Sequence, residues 1–195
     1  MKLVTPSLEH LPSYVQALER GWSADNVRGA VAGQEELKKI AVDASAFLAS
    51  LVDRQALGEP VTLPDGSQVA RLPGLRHWLW DGEFCGVIGL RWQPGTEALP
   101  PHCLGHIGYA VVPWKRRLGY ATQALRQILP EAWALGLRHV EITTDPDNLA
   151  SQRVIEANGG LLHERFIKPE PFGSSPGLRY RIALSPPIEQ NAKGA

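Results

Sequence analysis

The chain has 195 residues, 44% of them apolar, and its 20 Lys plus Arg are matched by 20 Asp plus Glu. That balance supports a sizeable core and excludes a disordered chain. A formal net charge of zero offers no bulk attraction to nucleic acid or to an anionic membrane surface, so neither is expected as a partner. The longest stretch free of acidic and basic residues, 98–114, carries Pro100, Pro101 and Pro113 and falls short of the ~20 apolar residues that span a bilayer. Residues 1–6 hold no continuous apolar run, so no secretory signal is expected. Cys85 and Cys103 alone make no disulfide framework, and the expected setting is reducing and cytoplasmic.

In chain order, residues 2–4 read as a strand and 7–20 as a helix, with Pro12 tolerable only near its first turn. Residues 21–33 read as a loop. From 34 to 56, Leu37, Ile40, Ala41, Ala44, Leu48 and Leu51 recur at helical spacing and predict one long helix. The Pro- and Gly-rich segment 60–75, with a turn signal at Pro64-Asp65-Gly66, predicts a hairpin or a mobile loop. Residues 77–80 and 84–92 flank a short turn and predict a second hairpin, and 102–112 a longer strand with a bulge near Gly105 and Gly108. A helix follows Pro113, kinked or restarted at Pro130 and ended by Gly136. Val140, Ile142 and Thr144 alternate along a strand, 148–157 forms a short helix, and 161–167 and 178–184 supply two last strands. Hairpins mixed with strand–helix–strand crossovers predict an α/β (α+β) domain, a mixed sheet covered by helices over residues 1–185. Residues 186–195 are expected to be a flexible tail.

The chemistry gathers where the strand ends at Pro113 and a helix opens with Arg116-x-x-Gly119-x-Ala121. The first turn of a helix leaves backbone N–H groups unpaired and carries partial positive charge, which suits a phosphate. Gly119 and the small Ala121 leave room for a diphosphate on those donors, and Arg116 and Arg117 add charge. This pattern, after the strand that begins at His106, resembles the acetyl-CoA-binding motif of the GNAT superfamily of N-acetyltransferases. The following strand, Asn148-x-x-Ser151 and Asn158-Gly159-Gly160 are similar to the family's next strand and Asn-bearing helix, so that the resemblance covers residues 78–166. Residues 105–109 and 143–151 further resemble a bacterial branch of these acetyltransferases.

The resemblance implies a mostly antiparallel central sheet of six or seven strands, flanked by about four helices, with parallel strands splayed at the cofactor site. It implies acetyl-CoA as co-substrate. Backbone groups near Val111 and Val112 would pair with the pantetheine arm, the N–H groups of Arg117, Leu118, Gly119, Tyr120, Ala121 and Thr122 would hold the pyrophosphate, and Asn148 and Ser151 would meet the pantetheine end. The implied reaction is direct attack of a primary amine, on a small molecule or a peptide, upon the thioester in a ternary complex. Two hydrogen-bond donors would stabilise the thioester oxygen as it gains charge. His106 matches the strand position where many members carry Glu and is the favoured base, with Glu141 second. The Tyr that often follows the Asn by seven residues as an acid is Ile155 here. That departure keeps open an alternative, a non-catalytic acyl-CoA-binding sensor of the same fold.

Competing readings attach to several of these residues. Gly119 and Ala121 could serve close helix–sheet packing, His106 could be a histidine bonded within the sheet, and Glu141 a paired strand residue. His102, Cys103 and His106 invite a metal, but strand alternation sends Cys103 to the face opposite the two histidines, and no metal is expected. A nucleotide-phosphate enzyme is disfavoured because no Gly-x-x-x-x-Gly-Lys-Ser/Thr loop is present. Exposed strand edges would allow a homodimer.

Overall fold

A gap between two antiparallel sheets governs the architecture. The computed structural model describes residues 1–25, 27–63 and 65–186. Along the chain, β1 (Lys2–Val4) leads to α1 (Leu11–Glu19), α2 (Ala30–Val42) and α3 (Ala44–Ser50). Then come β2 (Val52–Asp53), the small hairpin β3 (Val61–Thr62) and β4 (Gln68–Val69), and the long hairpin β5 (Gly74–Trp80) and β6 (Phe84–Arg91). The second half runs β7 (Ile107–Val111), α4 (Tyr120–Ala134), β8 (His139–Thr144), α5 (Leu149–Glu156), β9 (Leu161–Ile167) and β10 (Pro176–Ala183).

The first sheet has the order β1-β5-β6-β7, with β2 also on β5, and the second has the order β8-β10-β9. The expected mixed α/β fold with mostly antiparallel strands is present, with five α-helices rather than about four and with the central sheet divided in two among the described residues. Each face of the first sheet has its own core. Ile88, Leu90 and Ile107 pack with Leu125 and Ile128 of α4 and with Val140, Ile142, Ile155 and Tyr180 of the second half. On the other face Trp78, Phe84 and Val87 pack with Tyr14 and Leu18 of α1 and Phe47 of α3, and the Tyr14 and Trp78 rings stack with centroids 4.6 Å apart. Burying each such side chain contributes about 1.5–3 kcal/mol, so the sheet is held rigidly from both sides.

Several local expectations are corrected. The helix expected over 34–56 is two helices, because Asp43 adopts an extended conformation (φ −156°) and its carboxylate caps α3 by accepting the Ala46 N–H at 2.8 Å. The first of these starts at Ala30, inside the expected loop, and the helix expected from residue 7 starts at Leu11 with Pro12 in its first turn. Segment 60–75 does form a hairpin, β3–β4, although Pro64 of the expected turn lies outside the described residues. The strand expected over 102–112 is confined to β7, and its register against β6 is unbroken from Gly86↔Val111 to Leu90↔Ile107, with no bulge at Gly108. Pro130 neither stops nor restarts α4, which continues to Ala134. Most of the expected tail, 187–195, lies outside the described residues. No described helix is long and apolar enough to cross a membrane.

Candidate cofactor cradle and active-site cleft

Among the described residues, His106 is the one whose backbone bonds to both sheets. Its carbonyl accepts the Arg91 N–H of β6 at 2.9 Å, and its own N–H donates to the Glu141 carbonyl of β8 at 2.8 Å. Beyond it no ladder joins β7 to β8 among the described residues. Because backbone direction alternates along a strand, Val112, whose N–H donates to Cys85 O at 3.0 Å, points back to β6, whereas Tyr109 and Val111 turn theirs toward the gap. The expected open backbone therefore belongs to Val111 and not to Val112.

The loop after β7 arranges a row of unpaired donors. Arg117 (φ +64°) and Gly119 (φ +73°) both take the left-handed conformation, and α4 begins at Tyr120. Among the described residues, the N–H groups of Arg117, Leu118, Gly119, Tyr120, Ala121 and Thr122 meet no protein acceptor; the first intrahelical bond is Gln123 N–H to Gly119 O at 3.0 Å. Six consecutive donors at a helix start form a cradle for an anion. A Cβ on Gly119 would meet nothing nearer than Gln123 Nε2 at 3.8 Å, so glycine is required there by its φ rather than by crowding.

The cradle is anchored from two sides. Tyr120 Oη donates to Asp81 at 2.6 Å and Lys115 Nζ donates to the same carboxylate at 3.0 Å, tying the loop to the β5–β6 turn. Burial opposes the charge on Asp81, but these bonds prevail and hold its pKa down at about 2. Arg116 folds back so that Nε donates to Val111 O at 3.3 Å. On the far side Asn158 Nδ2 donates to Thr122 O at 3.2 Å and to Val154 O at 2.8 Å, fixing the end of α5 against the first turn of α4.

A cleft of about 820 Å³ follows the gap along β7 and β8, within the range of small-molecule sites. Asn148 and Ser151 both line it. Asn148 caps α5 by accepting the Ser151 N–H at 3.1 Å. Ser151 Oγ lies 2.9 Å from Tyr109 Oη, across the gap, and burial raises the Tyr109 phenol to about 12 despite that bond. It stays protonated, and a donor, through the neutral range.

The two expected bases are not in the cleft. His106 is fully buried, and its Nδ1 accepts the Glu141 backbone N–H at 2.9 Å. Burial, with smaller contributions from His139 and Arg91 against an opposing one from Glu141, lowers its pKa to about 4. The ring is a neutral structural element without access to a substrate. Glu141 Oε1 accepts from Arg181 at 2.8 Å and Oε2 lies 3.6 Å from Arg179. Burial raises its pKa, but the two arginines outweigh this and hold it below the usual carboxylate range. It is therefore a paired anion on the sheet's other face. Sequence reasoning missed Arg76 and Arg91 and weighed His102 only as a metal ligand; all three line the cleft. Two arginines in otherwise apolar strands were the signal for the missed pair. No group of three or more potential metal ligands occurs among the described residues.

Residues 66–160 match the model of the acetyltransferase (GNAT) domain. Over that stretch, just under half of its length, the chain is similar to the GNAT acetyltransferase domain. The likeness of fold extends past the matched stretch. The microcin C7 self-immunity acetyltransferase MccE, solved with acetyl-CoA and AMP, superposes with a TM-score of 0.60 at 15% identity, over 93% of this chain and 91% of that one. The Salmonella typhimurium acetyltransferase that modifies the N-terminal serine of ribosomal protein L7/L12 gives 0.60 at 16% identity, over 94% of each chain. A probable acetyltransferase is matched at 23% identity and a TM-score of 0.47 over 56% of this chain, which spans 62% of that protein's length. No curated protein matches the chain in sequence.

Proposed function

We propose that this protein transfers an acetyl group from acetyl-CoA to a primary amine by direct attack within a ternary complex. The observation that carries the reading is the run of six unpaired N–H groups at residues 117–122, beside strands that part. A diphosphate fits those donors, and the amide-bearing pantetheine arm fits the open backbone of Tyr109 and the Val111 N–H in the gap. The named neighbour that was solved with acetyl-CoA supports the same cofactor.

In this reading the thioester carbonyl lies in the cleft. The neutral amine nitrogen attacks it, the new C–N bond forms, the C–S bond breaks, and coenzyme A departs as thiolate. His102, the imidazole on the cleft wall, takes the proton that the nitrogen loses. Ser151 lies one helical turn before Ile155, on the same side of α5, so the Ser151–Tyr109 hydroxyl pair substitutes for the missing Tyr and gives a proton to the thiolate. Free thiol release from acetyl-CoA, followed with a panel of amines, tests the proposal. The protein's own cysteines are both buried and add little background.

A second reading, the acyl-CoA sensor without turnover, is favoured by the sealed His106, the ion-paired Glu141 and the apolar Ile155. Coenzyme A binding without thiol release for any amine would support it. Two buried free thiols agree with a reducing, cytoplasmic setting.

A further inference from the structure

The acceptor side of the cleft has a bare floor. Across β5, β6 and β7 the residues Arg76, Gly89 and Gly108 form one cross-strand row, with Arg76↔Gly89 and Gly89↔Gly108 as direct partners. Two glycines side by side leave the sheet backbone uncovered, and the guanidinium of Arg91 lies over one of them: a Cβ on Gly108 would come 3.4 Å from Arg91 Nη2. Arg76 and Arg91 line both the main cleft and an adjoining cavity of about 270 Å³. Among the described residues Arg91 has no ion pair or side-chain hydrogen bond. Arg76 is steered by Glu36, 3.6 Å away and itself hydrogen-bonded by Tyr14, while its buried Nη1 lacks a hydrogen-bond partner. Asp53, the carboxylate on the wall of the smaller cavity, is occupied by the N–H groups of Leu57 and Gly58 at 2.9 Å. Of the carboxylates on the main cleft, Asp145 is paired with Lys168, Asp65 holds Ser67, and Glu170 sits on the turn after β9; none belongs to the floor.

We propose that the acceptor amine carries an anionic group, a carboxylate or phosphate, which rests on the Gly89–Gly108 floor between Arg76 and Arg91. This rests on the acetyl-transfer reading for its substrate, but not for the site. Two guanidiniums with donors to spare suit a planar or tetrahedral oxyanion. Glycines at the floor let that anion approach the sheet.

The test has a binding arm and a turnover arm. N-acetylamino acids are compared with their amides, and phosphoethanolamine with ethanolamine, by calorimetry on the full chain with and without coenzyme A. Expected is at least a tenfold preference for the anionic member in one or both pairs; which pair shows it identifies the anion. Arg91→Gln, at an exposed position, should erase the preference and leave coenzyme A affinity within twofold. Equal binding of charged and neutral members, or a preference that survives Arg91→Gln, overturns the anion site. Thiol release with the matched free amines is scored separately. Its absence for all of them refutes acetyl transfer, while the binding arm still decides the anion site.

Discussion

His106 and Glu141 are bonded to each other twice: the His106 N–H donates to the Glu141 carbonyl at 2.8 Å, and the Glu141 N–H donates to His106 Nδ1 at 2.9 Å. The imidazole thus imitates the backbone acceptor of a strand pair at the apex where the sheets part. Its partner nitrogen would otherwise be a buried, unsatisfied donor. His106→Ala should therefore cost about 2–4 kcal/mol by losing both packing and that acceptor. His106→Asn, which retains an acceptor near the same place, should recover much of it. Urea denaturation of both variants measures the difference.

The same burial makes a pH prediction. Lowered to about 4 in the folded chain, against about 6.5 unfolded, His106 stays neutral at neutral pH and affects stability only in acid. Below pH 6.5 the unfolded chain takes the proton and the folded chain does not, so stability falls as pH drops, by about 3 kcal/mol once pH 4 is reached. Neighbouring His139, Glu141 and Arg91 are present in wild type and variant alike. The difference in stability between wild type and His106→Asn, followed from pH 7 to 4, should isolate this slope; a constant difference would contradict it. The pH profile of the catalytic rate should be the same in both proteins, whereas His102→Gln should lower kcat/KM itself, roughly a hundredfold or more if its imidazole takes the proton.

Much of this fold is readable from residue order. Alternation in β8 and the 3.6-residue period of α4 depend on one apolar face, which a sequence displays directly. The break at Asp43 hides inside a continuous helical pattern, because a cap is visible only if the extended φ is known. Likewise the cradle motif at Arg116, Gly119 and Ala121 is local and legible. His106 is not: its N–H turns to one sheet and its carbonyl to the other, so the strand position that the resemblance assigned to a base holds a buried ring instead. Arg76 and Arg91 become a pair only through the register of three strands, which no local pattern encodes.

Across the gap, Tyr109 and Ser151 share a hydrogen bond that a phenylalanine cannot make. Tyr109→Phe should cost about 1 kcal/mol of stability and lower kcat roughly ten- to a hundredfold, with coenzyme A affinity little changed. Ser151→Ala should act in the same direction, and the double variant should be no slower than the worse single one, since both remove one proton path. Additive losses in a double-mutant cycle would mean that the two hydroxyls act independently.

At Gly119 two effects can be separated. Its φ of +73° penalises any residue with a Cβ by about 1–2 kcal/mol, least for Asn, while the space beside it is open to 3.8 Å. Gly119→Asn should thus fold nearly as well as wild type. Gly119→Val should be destabilised and, because a branched side chain crowds the donors of Tyr120 and Ala121, should lose most of its coenzyme A affinity. If the loss came only from backbone strain, affinity would track stability across Asn, Ala and Val. The cradle argument instead expects Val to fall well below that line, as dissociation constants for coenzyme A measured alongside thermal midpoints would reveal. A Val variant that binds coenzyme A as tightly as its stability allows would remove the diphosphate from this loop.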